Sequence, residues 1–151
     1  MRRVILTITM LVLIIGLLSA CGGDDEGTSG GVPEDAALVI TGQVVKEIGW
    51  TEAEVRAMDT IEAESTNKQG ETSTYTGVSI NTLLELAGVQ AGASKLVLVG
   101  DDGYTAEVAL AEVQACDDCI VSFRNQGGFS IVMPGFPGNV QVKGVVEVKV
   151  E

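Results

Sequence analysis

Tyr75-Thr76-Gly77-Val78-Ser79-Ile80-Asn81-Thr82-Leu83-Leu84-Glu85-Leu86-Ala87-Gly88 carries both ends of a single helix. Ser79 stands at the N-cap, where a short side-chain oxygen can satisfy a free backbone amide. Val78, just outside that cap, is spaced to pack on Leu83, and Gly88 stops the helix at a left-handed position. Downstream, Leu96 to Val99 is wholly apolar and suits a strand covered on both faces. Asp101-Asp102-Gly103 turns the chain, and Tyr104 to Val108 returns with Tyr104, Ala106 and Val108 on one face. Leu110 to Val113 has room for one helical turn.

Upstream the pattern is similar. Ala37 to Val44 reads as a strand, with Gly42 marking a bend or bulge. Thr51 and Glu54 have capping-box spacing, and Trp50 can staple onto Val55, so Glu52 to Met58 is predicted as a short helix with Val55 and Met58 inward. Ile61 to Thr66 is a further strand, followed by a polar turn at Gly70. Toward the C-terminus, Ile120 to Phe123 and Ser130 to Met133 flank Asn125-Gln126-Gly127-Gly128, a strong hairpin signal. From Val140 onward the even positions are apolar apart from Gly144, which predicts a half-buried strand with one weak point. The economical answer is an α+β fold: a mixed, mostly antiparallel sheet with two or three short helices.

Composition limits what such a domain can do. The 151 residues include 21 acidic and nine basic side chains and no histidine, for a net charge of −12. A surface so poor in Lys and Arg excludes nucleic acid as a partner. Without histidine there is no Ser-His or Cys-His nucleophile pair, and no zinc site that uses an imidazole.

The N-terminus accounts for much of the apolar content. Arg2 and Arg3 precede an uncharged run from Val4 to Leu18, shorter than the roughly 20 residues of a comfortable membrane span. The run exits through Leu18-Ser19-Ala20-Cys21, which resembles the lipobox of bacterial lipoproteins. That resemblance implies a signal peptide over residues 1–20 and lipidation of Cys21, anchoring the mature chain outside the cytoplasm on the bacterial cell membrane. Residues 21–35 then form an acidic, flexible tether, and residues 36–151 the globular domain. Cleavage would leave seven basic against 21 acidic residues, a net charge of −14.

Four motifs recur in a telling order between residues 37 and 150. Tyr75-Thr76-Gly77-Val78 leads into the Leu83–Gly88 helix; Asp102-Gly103-Tyr104, Val132-Met133-Pro134-Gly135 and Val142-Lys143-Gly144-Val145 follow. This arrangement resembles the oxidoreductase molybdopterin-binding domain of the sulfite-oxidase type. The resemblance implies that fold, a possible molybdopterin cofactor, and a cleft touched by Ser65, Thr76, Gly77, Tyr104 and Lys143. It also implies a cysteine ligand to molybdenum upstream of the Thr-Gly-Val step. Here the corresponding stretch, Ile61 to Asn67, has no Cys; Ser65 offers only a hydroxyl, a poorer donor than a thiolate. The family grips its anionic cofactor with His and Arg, whereas this domain has Arg56, Arg124 and, at a motif position, Lys143. Thr76-Gly77 and Asp102-Gly103 also read simply as turn residues.

Cys116-Asp117-Asp118-Cys119 is the remaining chemical feature. Outside the cytoplasm such a pair is expected to oxidise, so Cys116 and Cys119 are read as a small-loop disulfide. Two thiols with Asp117 and Asp118 have the atoms for a metal site but not the usual four-ligand zinc set. No metal ligand and no catalytic residue is assigned. The favoured function is a lipid-anchored binding or interaction module, without a metal centre, whose partner is an unknown protein or small molecule. The alternative is an oxidoreductase that uses molybdopterin or the Cys116/Cys119 dithiol, so enzyme status stays open, with the missing thiolate and histidine weighing against it.

Overall fold

The last strand, β9 (Lys143–Val150), is the member around which the sheet is assembled. The structure, a computed structural model, describes residues 31–151, so the expected signal peptide, Cys21 and most of the expected tether lie outside the described residues. Before β9 come β1 (Leu38–Gly42), β2 (Ile48–Trp50), α1 (Glu52–Arg56), β3 (Ile61–Thr66), β4 (Thr72–Ser79) and α2 (Ile80–Ala87). Next are β5 (Lys95–Gly100), β6 (Thr105–Ala109), α3 (Leu110–Gln114), β7 (Ile120–Phe123) and β8 (Phe129–Val132). The strand order is β2-β1-β9-β8-β7-β4-β3, and β5 pairs with β9 and β6. Among the described residues only β1 and β9 run parallel; every other strand pair is antiparallel. The expected α+β class, a mixed and mostly antiparallel sheet with two or three short helices, is the observed one, and the α-helices number three among the described residues.

Leu38, Ile40, Leu83, Leu96, Leu98 and Phe129 are all completely buried in the main core, on the side that receives the helices. A second, small cluster of Ala63, Ile120 and Val132 joins β3, β7 and β8. The capping box of α1 forms as its sequence requires: Glu54 N donates to Thr51 Oγ1, and Thr51 N donates to Glu54 Oε2 at 2.7 Å. Gly88 closes α2 at φ +71°.

Several expectations need correcting. Helix α1 ends at Arg56 rather than Met58, although Val55 is buried and Met58 packs on the core. Ser79 occupies the N-cap of α2 but its side chain makes no capping bond. The run Leu96–Val99 is not covered on both faces: Leu96 and Leu98 are buried, while Val97 and Val99 are only half-buried. Tyr104 lies outside β6 and is exposed, unlike Ala106 and Val108. The even-numbered alternation of β9 fails at its centre, where Val145 is buried and Val146 is 38% exposed. The register explains this. Val99 faces Glu147 and Gly100 faces Val145, so Val146 is an extra residue against β5; Gly144 is likewise skipped between the partners of Phe129 and Ser130 on β8. Strands β2 and β4 were not anticipated at all.

Candidate functional site

The β3–β4 hairpin, the β7–β8 turn and the loop between β8 and β9 converge on a groove of about 1100 Å³. Its walls come from Glu64 to Gln69 on the first hairpin, Tyr75 on β4, and Arg124 and Gln126 on the turn. Ser130 to Val132, the Pro134–Phe136 loop, Gln141 and Lys143 complete it. An adjoining depression of about 710 Å³ shares Tyr75, Arg124, Gln126 and Ser130, and adds Thr74, Thr76 and Ser122.

Local bonding fixes these loops. The Gln141 side chain pairs with Met133 like a neighbouring strand: its Nε2 donates to the Met133 carbonyl at 2.6 Å, and its Oε1 accepts from Met133 N at 3.0 Å. That holds the start of the Met133-Pro134-Gly135 loop against the stretch leading to Lys143. The β7–β8 turn is held from α1. Glu52 Oε2 accepts from Gly128 N at 3.1 Å, and Arg56 donates to the Arg124 carbonyl at 3.1 Å while lying over the Phe123 ring. Glu52 also pairs with Arg56 at 2.8 Å. The Gly128 amide, then Arg56, lowers the Glu52 pKa below its ordinary value of 4.5.

The groove's charge is opposite to that of the protein. Lys68, Arg124 and Lys143 line it, and Glu64 is its one acidic lining residue. Among the described residues, the four ion pairs are made by Arg56, Lys95 and Lys149, and none by the three groove cations. The domain therefore gathers three of its seven basic side chains, unneutralised, around one opening. Such an arrangement attracts an anion by summed field and offers charge-assisted hydrogen bonds on contact. The rings of Tyr75 and Phe136 add apolar wall.

The structure brings some of the sequence-derived site residues together and separates others. Ser65 and Lys143 line the groove, and Thr76 lines the adjoining depression. Gly77 is buried in β4 opposite Ser122; a Cβ there would lie 2.2 Å from the Val121 carbonyl oxygen, so its immediate role is close strand packing. Tyr104 stands outside the groove and donates from its hydroxyl to the Asn139 carbonyl at 2.9 Å, bracing the turn that follows the Pro134–Phe136 loop. Asp102 accepts from Tyr104 N at 2.9 Å, and Gly103 has φ +81°, so that pair forms a turn. Lys68, Tyr75, Arg124 and Gln141 were not singled out beforehand as site residues. The available signal was the scarcity of cations: placing each basic residue on its predicted turn would have drawn attention to Lys68 and Arg124.

The donor set decides what the groove can hold. Its three cations suit the phosphate end of an anionic cofactor, but its lining contains no cysteine. Cys116 and Cys119 are joined in a disulfide between α3 and β7, outside the groove. The side chains present thus fit an anion and do not fit a thiolate-bound metal.

Comparison with known proteins is consistent with this geometry. The family described as the oxidoreductase molybdopterin binding domain matches residues 29–151. Sulfane dehydrogenase SoxCD from Paracoccus pantotrophus has a similar fold, with a TM-score of 0.63 and 22% identity over 75% of this chain. The match spans 37% of that crystallised chain. No curated protein matches the sequence.

Proposed function

The chain belongs to the oxidoreductase molybdopterin binding domain family, and from that premise we propose that it is a lipid-anchored, extracytoplasmic binding module. In this reading the groove takes an anionic small molecule without a thiolate-held metal. One observation carries it: Lys68, Arg124 and Lys143 converge on a groove that has no cysteine. Arg124 offers a planar fork suited to a carboxylate, sulfonate or phosphate, while the two lysines act as point charges. Tyr75 and Phe136 supply surface for the uncharged part of the ligand. Gln141 is engaged with Met133, so it shapes the wall rather than serving as a free donor.

The lipobox-like Leu18-Ser19-Ala20-Cys21 supports anchoring through lipid on Cys21. A tether over residues 21–35 would hold the domain at a root-mean-square distance of about 19–23 Å from its anchor. Among the described residues no helix is long and apolar enough to cross a membrane.

The test is elemental analysis of protein purified from its native host, combined with calorimetric titration of pyrophosphate. The expected outcome is a sub-stoichiometric molybdenum content together with saturable pyrophosphate binding that weakens as salt is raised. Near-stoichiometric molybdenum would overturn the reading in favour of a molybdopterin-dependent oxidoreductase, with Ser65 as the candidate oxygen donor. An absence of any saturable anion binding would overturn the groove assignment itself.

A further inference from the structure

At the other end of β7 from the groove, the chain closes a four-residue loop between Cys116 and Cys119. Cross-linking so short a loop removes little entropy from the unfolded chain. The loop is also secured without its sulfurs. Cys116 N donates to the Val113 carbonyl, and Ile80 N donates to the Cys119 carbonyl at 3.0 Å. From α2, Asn81 Nδ2 reaches the carbonyls of Val113, Gln114 and Cys116 at 3.2–3.4 Å. These bonds would persist if the disulfide opened, and they would keep the two cysteines facing each other.

Asp118 completes the cluster. Its Oδ1 lies 3.4 Å from Cys116 Sγ, and one oxygen of Asp118 and both sulfurs fall within 4.8 Å of one another. A disulfide sulfur has no proton to donate, so in the oxidised protein this contact supplies no hydrogen bond. In the dithiol it would, and around a metal ion the carboxylate would be a third ligand. Cys119 is fully buried and Cys116 nearly so, while Asp118 is exposed, leaving one open side for entry.

We propose that Cys116, Cys119 and Asp118 form a redox-gated site for a thiophilic divalent cation. A dithiol reductant transfers two electrons and two protons to the disulfide and is itself oxidised to a disulfide. The cation then displaces both thiol protons and binds two thiolates and one carboxylate, with a fourth position open to water. Neighbouring Asp117 adds negative charge that favours the cation. This site is separate from the groove and does not depend on what the groove binds.

The experiment uses the chain from residue 21 onward with Cys21→Ser, so that only this pair titrates, and zinc as the probe. Zinc uptake is read by competition with a chromophoric chelator, before and after reduction with a phosphine that is then removed. Far-ultraviolet circular dichroism is recorded on each form. The expected result is one zinc per reduced chain, none above background in the oxidised chain, an unchanged spectrum, and affinity weakened at least about tenfold by Asp118→Asn. Uptake that is equal in both redox forms would overturn the proposal. So would loss of the folded spectrum on reduction, because the cysteines would then be held by the bridge and not by the backbone. An unaltered affinity in Asp118→Asn would remove the carboxylate from the ligand set and overturn the site as drawn.

Discussion

Replacing Gly77 by alanine tests whether the Thr-Gly-Val step is first a packing device. Gly77 pairs with Ile61 on β3 and Ser122 on β7, and its φ is not positive, so alanine meets no backbone penalty there. The cost is steric. An added Cβ would sit 2.2 Å from the Val121 oxygen and 2.6 Å from the Ser122 Cα, both backbone atoms that cannot rotate away. Restoring ordinary contact requires β4 and β7 to part by about 1 Å, which would stretch a ladder hydrogen bond past its useful range. Overpacking at about 2 kcal/mol and one weakened hydrogen bond at about 1 kcal/mol give a loss near 3 kcal/mol. For a domain of this size that lowers Tm by about 12 °C. Urea and thermal unfolding of Gly77→Ala, beside Gly70→Ala, would measure it. Gly70 has φ +83° with nothing within 4 Å of an added Cβ, so its substitution should cost about 1 kcal/mol from backbone strain alone. If Gly77→Ala were no less stable than Gly70→Ala, the steric reasoning would be refuted.

Other consequences can be checked on the same protein. Lys143→Ala and Arg124→Ala should each weaken pyrophosphate binding about tenfold and flatten its salt dependence, as titration calorimetry would show. Thr51→Ala removes the α1 cap and should cost about 1 kcal/mol in urea unfolding. Glu52→Gln tests the clasp on the β7–β8 turn through pH. The folded Glu52 is held below its ordinary pKa of 4.5, so its stabilisation is present above that value and lost as pH falls through the lower, folded pKa. The wild type should therefore outlast Glu52→Gln in thermal melts at pH 7, and the gap should close as the pH is taken well below 4.5. A gap independent of pH would assign the effect to something other than the carboxylate.

Where the sequence carried local chemistry, the fold was readable from it. The Thr51/Glu54 capping box, the Gly88 stop, the Gly42 bend and the hairpin around Gly127 each depend on a few adjacent residues, and each is present. Strand β4 escaped because Thr72 to Thr76 is exposed on both faces and shows no apolar alternation; its run of threonines was the only cue. The skipped residues in β9 escaped for another reason. Gly144 announced a weak point, but the exposure of Val146 is set by its partners on β5, some 45 positions earlier. The groove follows the same division. Ser65 and Lys143 were found through motif position, whereas Lys68 and Arg124 sit in two turns whose proximity exists only once β3, β4, β7 and β8 have paired.

The parallel pairing of β1 with β9 bears on when the domain can fold. Val39 to Gly42 faces Glu147 to Val150, so the first of the described strands waits for the last. β5, too, needs β9 along one edge. A chain emerging from its N-terminus can form α2 or the β3–β4 hairpin as it appears, but its sheet stays open until the final eight-residue strand exists. Closure of the sheet is thereby deferred to the appearance of residues 143–150, whatever local structure has formed before them.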